Sequence, residues 1–319
     1  MKEIKLKIAP APFIHSPLSI PRLMYGVILC LLPALFWGIY YFKIQALYLI
    51  LACVFGTLFT EFLFCKVRGK ELTLKDGSAL LTGILLAMVL PPYLPLWMGF
   101  LGGVVAIALG KEVFGGLGYN IFNPALVGRA FLMASFPQHL TTWKIARGGF
   151  LHYDTITQAT PLAQTLPKFG GKINYPLVKL LMGTHAGCLG EVPALLLIIG
   201  GLALLVFRLA DYRIPLSCIS TVAFLTGIFY LKGLSPSPLF HLLSGGLLLG
   251  AFFMATDPVT TPYTPKGRWI FGIGMGVLVT SVRLFGGYPE GVMFSILVMN
   301  AFTPLINRLT KPLPLGVKK

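Results

Sequence analysis

Charge is what this chain has least of. Only 11% of its 319 residues are charged and 56% are hydrophobic, against about 25% charged in an ordinary soluble domain. A chain so poor in polar surface has no face to present to water, which excludes a water-soluble globular protein. Acidic residues are the scarcest, ten against 26 Lys and Arg, for a net charge of +16. The five cysteines (Cys30, Cys53, Cys65, Cys188, Cys218) form no Cys-x-x-Cys pair. The five histidines (His15, His139, His152, His185, His241) lack metal-binding spacing. Zinc or iron–sulfur ligation by this chain alone is therefore not expected. His-Glu-x-x-His, P-loop and Gly-x-Ser-x-Gly patterns are missing too, which leaves no zinc-protease, NTPase or serine-hydrolase signature. Residues 1–21 mix basic residues with proline and have no apolar core. No cleavable signal is expected, and the first apolar run is long enough to stay in the membrane.

What the chain does have is long apolar runs. There are about ten, near 23–42, 44–65, 78–91, 94–110, 121–136, 191–207, 214–231, 239–256, 269–285 and 288–306. In lipid every backbone polar group must be satisfied internally, so a span is a helix or part of a closed barrel. These runs are continuous and do not alternate at period two, which selects helices. The expected fold is all-α, a polytopic membrane protein of about ten helices. Several runs fall short of the ~20 residues of a straight span, as broken or tilted helices around a buried site do.

The basic residues sit in short clusters between the apolar runs. That is the pattern of loop charges in a membrane protein and argues against nucleic acid as a partner. With ten spans the termini share a side. That side collects most of the Lys and Arg, including Arg22, Lys66, Arg68, Lys111, Arg208, Arg213, Lys266, Arg268 and Arg308. The opposite short loops hold Lys43, Lys232 and Arg283. The positive-inside rule then places both termini in the cytoplasm and the long 137–190 connection outside.

The expected organisation is a cytoplasmic segment (1–22), a first five-helix unit (23–136), the outward loop (137–190), a second five-helix unit (191–307) and a cytoplasmic tail (308–319). Leu81-Thr82-Gly83-Ile84 returns as Leu225-Thr226-Gly227-Ile228. Each copy is followed by a proline turn, a Gly pair (102–103, 245–246) and a Gly/Pro-rich turn (115–124, 257–267). An inverted repeat of five plus five spans is therefore expected, with a site near the interface of the halves.

Three segments stand out from the apolar background. The outward loop carries His152-Tyr153-Asp154-Thr155-Ile156-Thr157-Gln158-Ala159-Thr160-Pro161-Leu162, which by composition alone reads as a surface turn. The second segment is Gly110-Lys111-Glu112-Val113-Phe114-Gly115-Gly116-Leu117-Gly118-Tyr119-Asn120-Ile121-Phe122-Asn123-Pro124, continuing to Gly128-Arg129. Its glycines lack the preceding strand of a dinucleotide fingerprint, and an irregular turn entering a span fits better. Asn120 and Asn123 either cap the following helix or offer amides to a ligand. The third is Met254-Ala255-Thr256-Asp257-Pro258-Val259-Thr260-Thr261-Pro262, then Lys266-Gly267-Arg268, and later Gly287-Tyr288-Pro289-Glu290-Gly291.

The pattern Asp-x-x-Thr-x-Ala-Thr-Pro over 154–161 resembles the flavinylation motif shared by the D subunit of Rnf complexes and the related B subunit of Nqr. The other two blocks occur in that family's order, and the likeness covers most of the chain. The missing amino-terminal extension favours the Rnf form. The resemblance implies an FMN joined by a phosphoester to the hydroxyl of Thr160, with Asp154, Thr157 and Ala159 as motif positions and Gln158 where Gly is common. It implies a separate flavin transferase, the remaining Rnf subunits (A, B, C, E and G) as partners, and a bacterial inner membrane. It also implies a non-covalent second flavin, riboflavin, near Asn120 and Asn123. The expected function is as one subunit of a ferredoxin:NAD⁺ oxidoreductase that moves Na⁺ or H⁺, inert alone. The tether calls for an exposed hydroxyl on a mobile loop.

Among the few carboxylates, Glu61, Glu71, Asp76, Glu112, Asp257 and Glu290 lie within or beside apolar runs. A carboxylate there is expensive unless paired, so Glu71, Glu112 and Asp257 are candidates for the ion pathway. Interfacial salt bridges, Glu71 with Lys70 or Lys75, are the plainer alternative. Arg129, inside a span, requires a partner or a phosphate-bearing site. Two other functions compete: a solute or ion transporter without a redox cofactor, and a scaffold for other redox subunits.

Overall fold

The computed structural model describes residues 19–69, 72–164, 175–287 and 290–312. Glu71 with Lys70, Tyr288-Pro289 and most of both terminal segments lie outside the described residues. Five helices are long and apolar enough to cross a membrane: α1 (Ile20–Phe42), α2 (Ile44–Arg68), α10 (Arg213–Leu231), α13 (Pro265–Phe285) and α14 (Val292–Leu309). The protein is therefore a multi-pass membrane protein. Among the shorter helices are α3 (Ser78–Val89), α4 (Leu96–Ile107), α5 (Pro124–Ser135) and α9 (Ala194–Val206). Large apolar side chains such as Leu29, Phe36, Phe55, Phe224 and Leu231 face outward, as expected where lipid is the solvent.

Lipid is as apolar as leucine, so burial of apolar area does little to hold these helices together; close backbone approach does. On α4 a methyl group at Gly103 would come 2.7 Å from the Cys53 carbonyl of α2. On α13 a methyl group at Gly272 would come 2.7 Å from the Ile214 carbonyl of α10. Glycine at these positions lets α2 pack on α4, and α10 on α13, the two most extensive helix contacts in the protein.

The run expected at 239–256 is not one helix. It divides into α11 (Pro238–Leu243) and α12 (Leu247–Leu249), and α12 widens into a π-helical turn over Gly250–Met254. The break at Ser244–Gly246 passes through Gly245 with φ +68°, a conformation glycine adopts without strain. The exposed carbonyls are met from α13. Arg283 donates Nη1 to the His241 carbonyl at 2.6 Å and Nη2 to the Ser244 carbonyl at 3.0 Å. The 94–110 run likewise continues from α4 through a π turn, Ala108–Glu112. The 121–136 run begins only at Pro124, where Asn123 caps it.

The 137–190 connection is more ordered than a loop. It holds α6 (Pro137–Thr141), strands β1 (Lys144–Gly148) and β2 (Tyr153–Thr157), α7 (Pro161–Gln164) and α8 (Leu177–Met182). The strands pair antiparallel, with Arg147 opposite Asp154 and Lys144 opposite Thr157. This hairpin corrects the all-α expectation in one place. Tyr-Asp-Thr-Ile-Thr is β-branched and aromatic, which suits a strand. The hairpin sits on the end of the bundle that holds the α1–α2 and α3–α4 turns: Tyr93 lies 6.0 Å from the Tyr153 ring and donates to the Phe42 carbonyl. The opposite end is basic. There Arg268 and Arg213 meet Asp211, Arg68 meets Glu112, and α14 finishes with Thr310 against Thr264.

Candidate functional site

The motif follows directly from the hairpin. Gln158 donates its amide to the Trp143 carbonyl at 3.1 Å, carrying the ladder one residue past Thr157. The chain then turns into α7. Thr160 is 4% exposed, and its Oγ1 accepts from the Ala163 amide at 3.2 Å. The expected exposed hydroxyl is thus found buried, serving as the cap of a four-residue helix. The exposed residues are its neighbours Thr157, Gln158 and Ala159.

Those neighbours line a cavity of about 360 Å³ together with Ala163, Trp143, Met133, Arg129 and Glu290. Asp154 is not among them; it is exposed in a separate groove with Arg147 and Tyr48. Arg129, which the sequence left without a partner, has Glu290, a residue 161 positions away. Behind Glu290 lie Cys188 and Glu191. One ligand atom from each of Cys188, Glu191 and Glu290 falls within 4.8 Å of the others. The Cys188 thiol donates to the Val89 carbonyl at 3.0 Å, and the Gly190 amide to the Met88 carbonyl at 2.7 Å. The 188–190 loop thereby closes the carboxyl end of α3, much as Arg283 closes α11. Burial pushes the Cys188 thiol up and the nearby loop imidazole of His185 down to about 4.

A second set of buried charges lies at the basic end. Lys111 is 2% exposed and donates Nζ to Glu61 Oε1 at 2.8 Å and to Ser78 Oγ at 2.7 Å. Thr73 also donates to Glu61, and Asp76 accepts from Ser78. Glu112 turns the other way, to Arg68 at 3.4 Å. The wide turn of 108–112 puts Lys111 and Glu112 in separate ion pairs, the first fully buried and the second with a partly exposed partner in Arg68. Fifty positions separate Glu61 from Lys111, so nothing local in the sequence marks them as partners.

Asn123 accepts from the amides of Ala125 and Leu126 and donates to the Met254 carbonyl. Asn300 receives the Asn123 amide and donates to the Thr260 carbonyl. Asn120 accepts from the Gly118 amide and donates to the Phe122 carbonyl. The capping role holds for Asn123, and both amides are engaged within the protein. Asn120, Asn123, Lys111 and Asp257 line a cavity of about 60 Å³. Cofactor sites run to about 300–1,000 Å³, so this cavity does not fit a flavin ring. Asp257 accepts from Thr260 Oγ1 and the Val259 amide, and burial raises its carboxyl despite those bonds.

Fold and site together define a helical membrane protein with ionisable groups buried at both ends of its bundle, one group opening on a ligand-sized cavity. The sequence profile of the NQR2, RnfD, RnfE family matches residues 7–316, and the chain belongs to that family. It is 44% identical over 329 residues to the D subunit of the proton-translocating ferredoxin:NAD(+) oxidoreductase complex of Clostridium ljungdahlii, covering 98% of this chain and 96% of the relative. It is equally 44% identical, over 322 residues, to the D subunit of the Na(+)-translocating ferredoxin:NAD(+) oxidoreductase complex of Acetobacterium woodii, covering 100% and 98%. The D subunit of the ion-translocating oxidoreductase complex of Stutzerimonas stutzeri is 40% identical, covering 93% and 92%.

Proposed function

We propose that this chain is the D subunit of an ion-translocating ferredoxin:NAD⁺ oxidoreductase complex, carrying an FMN esterified to Thr160. The relatives' names supply the complex. One structural observation supports the cofactor: residues on both sides of Thr160, namely 157–159 and 163, line a largely apolar cavity of about 360 Å³. That volume is of cofactor size. Trp143 and Met133 would flank a ring, and Arg129 supplies a cationic group. To carry a phosphate the Thr160 hydroxyl must leave the Ala163 amide and turn from its buried position into the cavity beside it. When bound, FMN supplies one-electron transfer; the chain positions it against an apolar lining with the Arg129–Glu290 pair at one side. Asp154 and the exposed strand β2 are what an outside flavin transferase would meet.

In this reading the chain makes ten crossings in two halves, α1 to α5 and α9 to α14, with α11 and α12 as one broken span. The packing supports equivalence of the halves: α2 on α4 and α4 on α5 in the first, α10 on α13 and α13 on α14 in the second. The Leu-Thr-Gly-Ile copies fall in α3 and α10, which are not equivalent under that pairing. The basic end faces the cytoplasm with both termini, and the hairpin faces outward from a bacterial inner membrane. The other Rnf subunits (A, B, C, E and G) hold the reactions with ferredoxin and NAD⁺. Driving one charge against 100 mV takes about 2.3 kcal/mol, which this chain alone has no reaction to supply.

The test is mass spectrometry of the Thr160 peptide from the native host, with in-gel fluorescence of the denatured chain. An added FMN mass and a fluorescent band lost in Thr160→Ala are expected. A dark band from cells containing a flavin transferase would overturn the reading in favour of a transporter without a redox cofactor, which the broken α11–α12 span would suit.

A further inference from the structure

The carboxylates behind the motif cavity are not equivalent. Glu290 is committed to Arg129 and lines the cavity. Glu191 is 3% exposed, and its Oε1 is buried with no hydrogen-bond partner among the described residues. Its other oxygen, Oε2, is folded against Gly187, where even a Cβ would overlap it. An ionised Glu191 would be a buried charge unsatisfied at one oxygen and pressed against a second carboxylate, an arrangement disfavoured on both counts. Two carboxyl groups at this spacing share a proton instead of both ionising. The other charged or titratable groups facing the pair are Arg129 of α5, Arg283 of α13 and the Cys188 thiol. A metal ion is the poorer occupant of this thiol and carboxylate set. The Arg129 guanidinium already neutralises Glu290 and stands 3.8 Å from the Cys188 sulfur, where it would repel a cation.

We propose that Glu191 and Glu290 hold one proton in common and release it through Glu290 into the cavity beneath residues 157–159 when an electron arrives there. The proposal rests on the FMN reading of Thr160. The electron comes from the one-electron donor of the complex. The O–H bond of the shared carboxyl breaks, and its proton passes to the electron-accepting group in the cavity. One negative and one positive charge enter together, so the cavity gains no net charge. The pair is left with both carboxylates ionised, balanced by Arg129 and Arg283, and when the electron moves on the same proton returns through Glu290 to re-form the shared O–H bond.

The experiment is redox-induced infrared difference spectroscopy of the intact complex, in H₂O and D₂O, with the Thr160 peptide mass taken from the same preparation. One protonated-carboxyl band is expected to disappear on reduction, to shift in D₂O, to be absent in Glu191→Gln and to move in Gly187→Ala, which displaces the carboxyl without removing it. An unchanged band in both variants overturns the proposal, as does the lack of any such band while the FMN mass is present. A band that responds to replacing sodium by choline at fixed pH also overturns it and assigns the pair to Na⁺. A missing FMN mass defeats the flavin reading and this proposal with it. Should Glu191→Gln fail to assemble, Gly187→Ala decides, since an unmoved band there places the proton elsewhere.

Discussion

Arg283 donates from Nη1 to the carbonyl of His241 at 2.6 Å, so a residue of α13 completes the end of α11. The last carbonyls of a helix have no partner within it, and in lipid none is available from water. Arg283 is 6% exposed, so its charge and the orphan carbonyls are buried together.

Replacing Arg283 by Ala should therefore destabilise the protein by about 2–4 kcal/mol, the scale of losing two charge-assisted bonds to buried acceptors. Arg283→Lys should recover part of this, because an ammonium reaches one carbonyl but cannot fork to both. Thermal unfolding in detergent measures the difference. Equal midpoints for the wild type and Arg283→Ala would refute the capping role.

Lys111 and Glu61 form the most deeply buried ion pair among the described residues, 2% and 0% exposed at the side chains. Lys111→Met leaves Glu61 uncompensated and should cost about 3–5 kcal/mol. The double variant Lys111→Met with Glu61→Gln should regain most of that loss, because no bare charge is left. A double-mutant cycle on the unfolding free energy reads the coupling, and additive losses would mean the two side chains act independently.

His185 gives the protein an acid limit. Burial holds its imidazole near about 4, below the ordinary 6.5, so the unfolded chain takes up its proton first as pH falls. Its contribution to stability is full above the unfolded value and is lost progressively between about 6.5 and 4. His185→Gln removes that proton uptake, and its stability profile should be flatter over this window. Unfolding midpoints measured from about pH 4 to about pH 7 compare the two; parallel profiles would exclude His185 as the source.

The sequence carried the local features well. The Asn-x-x-Asn-Pro stretch announced a helix start, which Asn123 supplies, and Arg129 announced a missing partner, which Glu290 fills across 161 positions. What could not be read is what depends on distant residues meeting. Glu61, inside the 44–65 run, and Lys111, just past the 94–110 run, show no sign of pairing until α2 and α4 are packed. The break in α11–α12 lies inside an apolar run whose only local sign is a Gly pair, and its partner Arg283 resembles a loop charge. Thr160 reads as exposed because its surroundings are polar, yet it is buried along with Pro161 and Leu162. The hairpin is not legible in the sequence because strand-forming threonines also favour turns.

The wide turn at Ala108–Glu112 carries one more consequence. Neighbours on a regular helix point about 100° apart, yet here Lys111 and Glu112 are both buried and each finds its own counter-ion. The extra residue of the turn makes that geometry available. Shortening this stretch by a single amino acid, of whatever type, would wind it into an ordinary helix and rotate the ammonium off Glu61. Chain length between Ile107 and Val113 is itself part of how this bundle places its charges.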